Sequence, residues 1–120
     1  MHGIGKVAEE VALKFLCKQN LILLEQNFHS RFGEIDIVMQ DKLAKTLVFV
    51  EVKMRSSTSY GHSQEMLSYR KRQKIIQTAN YYLLKNTQYY NYHCRFDVIA
   101  FNSKQLDKSN IDWIQNAFIN

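Results

Sequence analysis

The chain has 120 residues, enough for one domain and too few for a second of ordinary size. With 46% hydrophobic and 22% charged residues it has a globular composition, which excludes a disordered or low-complexity chain. A formal charge of +5 and a pI near 9.3 favour a polyanionic partner without establishing one.

The opening MHGIGKVAEE meets charge too early for the apolar core of a signal peptide. No run approaches the ~20 apolar residues that cross a bilayer, so a cytoplasmic protein without a membrane partner is expected. Gly3 and Gly5 precede a helical pattern that runs to about Asn20. Val7, Ala8, Val11, Ala12, Phe15 and Leu16 recur at three- and four-residue spacing and form its apolar face, with Lys6, Glu10, Lys14 and Lys18 opposite. Cys17, near its end, and the distant Cys94 form no CxxC pair. They read as buried or half-buried free thiols in a reducing compartment.

Three strand-like segments follow, Leu21 to Phe28, Glu34 to Met39 and Thr46 to Lys53. The last two are rich in Ile, Val and Phe and are joined by QDKLAK, a hairpin signature. SSTSYGHS, Ser56 to Ser63, reads as a loop. A second helix is expected from about Gln64 to Lys85, with Ile75, Ile76, Ala79, Tyr82 and Leu83 toward the core. RFDVIAF, Arg95 to Phe101, reads as a fourth strand, and Ile111 to Phe118 as a short closing element of undecided type. The order helix, three strands, helix, strand implies a single α/β domain with a mixed sheet of four or slightly more strands, flanked by helices.

Chemistry concentrates in the hairpin. In VFVEVK the alternation of side chains sets Glu51 and Lys53 on one face, with Cα atoms ~7 Å apart. A carboxylate and an amine inside so apolar a run are costly to bury unless paired or bound to metal. If the loop centres on Leu43 and Ala44, position i faces position 87 − i, and Asp36 falls across from Glu51 at ~5 Å. Two carboxylates at that range repel, one pKa is driven up, and a divalent cation resolves the conflict. A one-residue slip would undo the pairing. On the first helix Glu9 lies at the edge of the apolar face, between Leu13 and Leu16, whereas Glu10 lies on the wet side. Glu9 is therefore the acid aimed at the sheet.

Three oxygen donors and a lysine suit phosphodiester hydrolysis. Mg²⁺ or Mn²⁺ would be held by Glu9, Asp36 and Glu51, and Lys53 would act on the scissile phosphate. As isolated residues, Glu51 and Lys53 read as an exposed ion pair; Asp36 and Glu9 reverse that balance. Lys71 and Lys74, in the basic run opening the second helix, are candidates for phosphate contact against a default of a solvated face. Tyr81, Tyr82, Tyr89, Tyr90 and Tyr92 can stack on unpaired bases, although packing explains most such tyrosines. Arg95 and Asp97 share a strand face and can pair with each other. His2, His29, His62 and His93 lack the spacing of a zinc site.

The spacing Asp-x14-Glu-x-Lys resembles that of the PD-(D/E)xK, or restriction-endonuclease-like, nucleases. More specifically, GKVAEEVA, NFHSRFGEIDIV, VFVEVKMRS, KRQKIIQTANYYL and CRFDVIAF resemble, in order, the blocks of the bacterial YraN-like family, from Gly5 to the closing Asn116 to Phe118. That family is similar in fold to archaeal Holliday junction resolvases. The resemblance places its helical acid at Glu9, its GEID acid at Asp36, FVEVK at Glu51 and Lys53, its basic helix residue at Lys71 and its arginine after EVK at Arg55. It departs at Ile35, where the superfamily name has proline, and at Met54, where the family often has threonine. It implies a metal-dependent endonuclease acting on DNA, including branched or structured DNA, and, by analogy of fold, a homodimer. The alternatives are a module of the same fold that binds nucleic acid without cutting it, in a repair or uptake complex, and a purely structural partner protein.

Overall fold

The computed structural model describes residues 3–54, 67–102, 106 and 110–119. Helix α1 spans Gly3–Cys17 and is followed by strands β1 (Ile22–Ser30), β2 (Gly33–Asp41) and β3 (Thr46–Met54). Helix α2 spans Tyr69–Lys85, a single 3₁₀ turn covers Thr87–Tyr89, and β4 (His93–Phe101) and β5 (Ile111–Phe118) complete the chain. The closing element is thus a fifth strand. Helix α2 starts at Tyr69, later than the periodicity implied, because Ser68 caps it: the Ser68 hydroxyl accepts from Lys71 N at 3.1 Å. The Ser56 to Ser63 segment, with Arg55 and His62, lies outside the described residues.

The five strands follow one another across the sheet in chain order. β1–β2, β2–β3 and β4–β5 are antiparallel, and β3–β4 is parallel because α2 supplies the crossover. The sheet is mixed and the domain α/β, as the order of elements implied. The β2–β3 turn is only the four residues Lys42 to Lys45, with Lys45 at φ 49° and the Asp41 carboxylate accepting from Ala44 N at 3.1 Å.

Each face of the sheet carries its own core. Ala8, Ala12 and Leu16 of α1 pack with Ile37, Met39, Val48, Val50, Ile99 and Phe101. On the opposite face Ile75, Ile76, Ala79 and Tyr82 of α2 pack with Val38, Leu47, Phe49, Phe96 and Val98. Adjacent positions of β3 thus feed different cores, as alternation requires. Val7, assigned to the apolar face of α1, is 47% exposed. Cys17 and Cys94 are free, as expected, but both are exposed rather than buried.

The alternation fails at one place. Ile35 and Ile37 lie two residues apart yet enter opposite cores, so β2 turns over at Asp36. Across from it on β1, Asn27 has φ 51°, and the ladder passes from Gln26↔Ile37 to Phe28↔Ile35 without an Asn27–Asp36 pair. A local break of this kind re-aims side chains. The candidate site is built on it.

Candidate active site

Five β2–β3 pairs, from Ile37↔Val50 to Asp41↔Thr46, obey the register i + j = 87. Beyond Ile37 the strands part, and the side chain of Asp36 spans the gap: its Oδ2 accepts from Val52 N of β3 at 2.8 Å. Asp36 replaces with a carboxylate the ladder bond that the break removed. Its carboxyl is thereby fixed beside Glu51.

Glu51 is only 7% exposed. Its Oε2 lies 3.0 Å from Nζ of Lys71 on α2, and its Oε1 is buried with no hydrogen-bond partner. Burial pushes the pKa of Asp36 up to about 8, and repulsion from Glu51, Glu9 and Glu34 adds to the rise, while the Val52 N–H opposes it. Burial also raises Glu51, against the pull of Lys71 and of a hydrogen bond from the Asp36 carboxyl. For Lys71, partial burial opposes the charge, but Glu51 and the acids behind it raise its pKa overall. Two buried carboxyls and one ammonium make an electrostatically strained group.

Glu9 reaches this group from the other face of the sheet. Asn27 Nδ2 donates to Glu9 Oε1 at 2.9 Å and to Glu34 Oε2 at 3.0 Å, so one amide clamps an α1 acid to a β2 acid. Glu10 is exposed, as its place on the wet side of the helix implied. Lys53 lies on the Glu51 face, since Glu51 is paired with Val98 and Lys53 with Ala100, both in the α2-side core. Its side chain is exposed at the mouth of a cleft lined by Glu51, Val52, Leu67, Ser68 and Lys71. Lys74, one turn beyond Lys71, is exposed beside the β1–β2 turn, where a Cβ on Gly33 would meet its Cβ at 3.6 Å.

The structure therefore gathers Asp36, Glu51 and Lys71 by direct contact, with Glu9 adjacent and Lys53 on the same strand face. Arg55 lies outside the described residues. Sequence reasoning missed two participants. Glu34 was visible as a second acid of the GEID segment, two positions before Asp36; Asn27 carried no signal, because its role depends on a left-handed backbone conformation. His29 stands at the rim, its Nδ1 3.5 Å from Glu34 Oε1.

A family model described as "Uncharacterised protein family UPF0102" matches residues 8–101, a span that contains every acid and lysine of the site. The chain belongs to this family. It is the YraN-like family whose blocks the sequence resembles. A UPF0102 protein of Francisella tularensis subsp. novicida (strain U112) is 51% identical over 116 residues, covering 96% of this chain and 93% of its own. One from Pseudomonas fluorescens (strain Pf0-1) is 45% identical over 114 residues, with 95% and 91% covered. A third, from Acinetobacter baumannii (strain AYE), is 40% identical over 126 residues, with 96% and 93% covered.

The UPF0102 site has the donors for a hard divalent cation. Glu9, Asp36 and Glu51 offer carboxylate oxygens, Glu34 adds one the sequence reading did not include, and the partnerless Glu51 Oε1 is the atom that most needs a cation. The donors are not gathered in advance: among the described residues no three His, Cys, Asp or Glu side chains stand ready to hold a metal ion. Glu9 is held by Asn27, and Glu51 is held by Lys71.

Proposed function

We propose that this UPF0102 protein is a nuclease that hydrolyses phosphodiester bonds in DNA with the help of Mg²⁺ or Mn²⁺, branched or structured DNA included. One observation carries the reading. Two carboxyl groups are buried side by side, and Oε1 of Glu51 has no hydrogen-bond partner. Such an arrangement is costly for stability and useful for binding a cation.

Glu9, Asp36 and Glu51 would hold the cation, which when bound supplies Lewis acidity toward a phosphoryl oxygen and a lowered pKa for an attacking water. Val52 N–H holds the Asp36 carboxyl beside Glu51. Lys53, exposed on the Glu51 face, is placed to hold a non-bridging phosphate oxygen and to offset the charge that builds up on it. Lys71 neutralises Glu51, and with a cation held by the acids its ammonium would be free to contact phosphate. Lys74 would extend the phosphate-contacting edge along α2, and Arg55, outside the described residues, is a further candidate for phosphate contact.

The test is cleavage of duplex, single-stranded, flap and four-way-junction DNA with Mg²⁺ or Mn²⁺. Loss of 10²-fold or more is expected in Glu51→Ala and Lys53→Ala. Cleavage that persists at the wild-type rate in both sinks the assignment.

A second reading rests on Lys71. An ammonium 3.0 Å from Glu51 already serves as the cation, as expected of a module that binds nucleic acid without cutting it. Metal titration separates the two readings. Nucleic-acid binding that needs neither Mn²⁺ nor Asp36, with no cleavage of any substrate, favours the binding module.

A further inference from the structure

Beside the acidic cluster a groove of about 540 Å³ runs between the β1–β2 turn and α2, lined by Arg31, Phe32, Gln77, Asn80, Tyr81 and Leu84. Nothing in the proposed hydrolysis uses it. Its walls are fixed rather than loose. Phe32 N donates to Ser30 Oγ at 3.0 Å, Ser30 Oγ meets Thr78 Oγ1 at 3.0 Å, and Thr78 Oγ1 donates to Lys74 O at 2.8 Å. This chain of bonds pins the turn to the helix, with Thr78 fully buried.

The groove has a recognisable chemistry. Two aromatic rings, Phe32 and the 37% exposed Tyr81, and the 76% exposed Leu84 supply apolar contact area. Gln77 and Asn80 supply amides that can both donate and accept. The Arg31 guanidinium lies over the Phe32 ring at 4.9 Å, and the Lys85 ammonium over Tyr81 at 5.5 Å. No acid lines it. Helix α2 itself carries Arg70, Lys71, Arg72, Lys74 and Lys85 and neither Asp nor Glu. Apolar faces, amide edges and flanking cations match a nucleobase with its phosphates, and not an apolar protein surface or an acidic peptide alone.

The groove also lies further along the helix that carries Lys71, on an adjoining side of it. From Lys71, which touches Glu51, α2 rises ~1.5 Å per residue, so Gln77 is ~9 Å and Tyr81 ~15 Å along the helix. Those separations correspond to the first few nucleotides beside a phosphate at Glu51. In a duplex those bases are stacked and paired, out of reach of the groove.

We propose that this groove binds unpaired bases of the strand whose phosphate is presented to Glu51, so that the favoured nucleic acid has a single-stranded or splayed segment next to the reacting bond. The assignment rests on the nuclease reading for the location of that phosphate, and the groove can be tested without cleavage. Tyr82, Tyr89 and Tyr92 have no part in it: Tyr82 is buried, and Tyr89 and Tyr92 pack on each other and on the core.

The experiment measures binding of fluorescent oligothymidylate, and of a blunt duplex of equal length, to the full chain in EDTA. The wild type is expected to prefer the single strand. Tyr81→Ala is expected to lose roughly ten-fold of that affinity while duplex affinity changes less than about two-fold, and Tyr81→Phe to retain it. Equal loss on both nucleic acids, no loss on either, or a wild type that favours duplex overturns the proposal. So does a wild-type dimer, seen by light scattering, that Tyr81→Ala dissociates, because the groove would then hold a second copy of the chain. If no substrate is cleaved under any condition but the Tyr81 effect appears, the groove stands and the nuclease reading falls.

Discussion

Asp36 and Glu51 are kept ionisable in a place where ionisation is unfavourable, and this gives a sign that can be checked. The Asp36 pKa rises from an ordinary 3.8 to about 8 on folding, so the native state holds more protons than the unfolded chain between those values. Stability of the metal-free protein must therefore fall as pH rises through that window, and Glu51, shifted in the same direction, steepens the fall. Added Mg²⁺ or Mn²⁺ should flatten the profile. Asp36→Asn keeps an acceptor for Val52 N–H and removes the charge. It should stabilise the metal-free protein at pH 8 by on the order of 1–3 kcal/mol, with the gain vanishing near pH 4. Thermal melts across pH 4–8, with and without Mn²⁺, check both. A flat wild-type profile without metal would refute the raised Asp36 pKa.

At the scale of the elements, one buried carboxylate has the opposite character. Asp97 on β4 is 1% exposed and fully satisfied. Arg95 donates to it through Nε at 2.9 Å and through a terminal nitrogen at 3.0 Å, Trp113 Nε1 donates at 3.0 Å, and Asn116 N at 2.9 Å. These bonds tie β4 to β5 where their register shifts between Phe96 and Val98. The RFDV block is thus structural, and the pairing expected of Arg95 and Asp97 is part of a larger network. Asp97→Ala should cost about 3–5 kcal/mol, read from urea unfolding. It should leave Mn²⁺ affinity unchanged under conditions where the variant is folded, because Asp97 has no contact with the acidic cluster.

For the whole molecule, the sheet separates the helices, and the break at Asn27 and Asp36 joins what the sheet separates. Glu9 arrives from the α1 side and Lys71 from the α2 side. The excess charge of +5 is concentrated by α2, whose acid-free sequence flanks both the site and the groove. A single strand contacting about four phosphates should show log affinity falling with log salt at a slope of about −3, measured by anisotropy from 50 to 300 mM NaCl. A slope near zero would remove nucleic acid from consideration. No helix among the described residues is long and apolar enough to cross a membrane, in line with the expectation from hydropathy.

What the sequence alone determined is local. The β2–β3 register i + j = 87 follows from a short turn and from period-two alternation, and it holds from Asp41↔Thr46 to Ile37↔Val50, one step short of the Asp36–Glu51 pair it implies. The wheel of α1 chooses Glu9 over Glu10 for the same reason: helix geometry is fixed by the backbone. Only the tertiary structure decided the rest. The Lys71–Glu51 pair joins residues that a crossover separates, and the Asn27 clamp requires α1 to pack on the face opposite α2. The turnover of β2 at Asp36 contradicts alternation at the one residue where a side chain has taken the place of a backbone bond. Periodicity reports the faces that burial makes regular, and the candidate site lies where burial stops being regular.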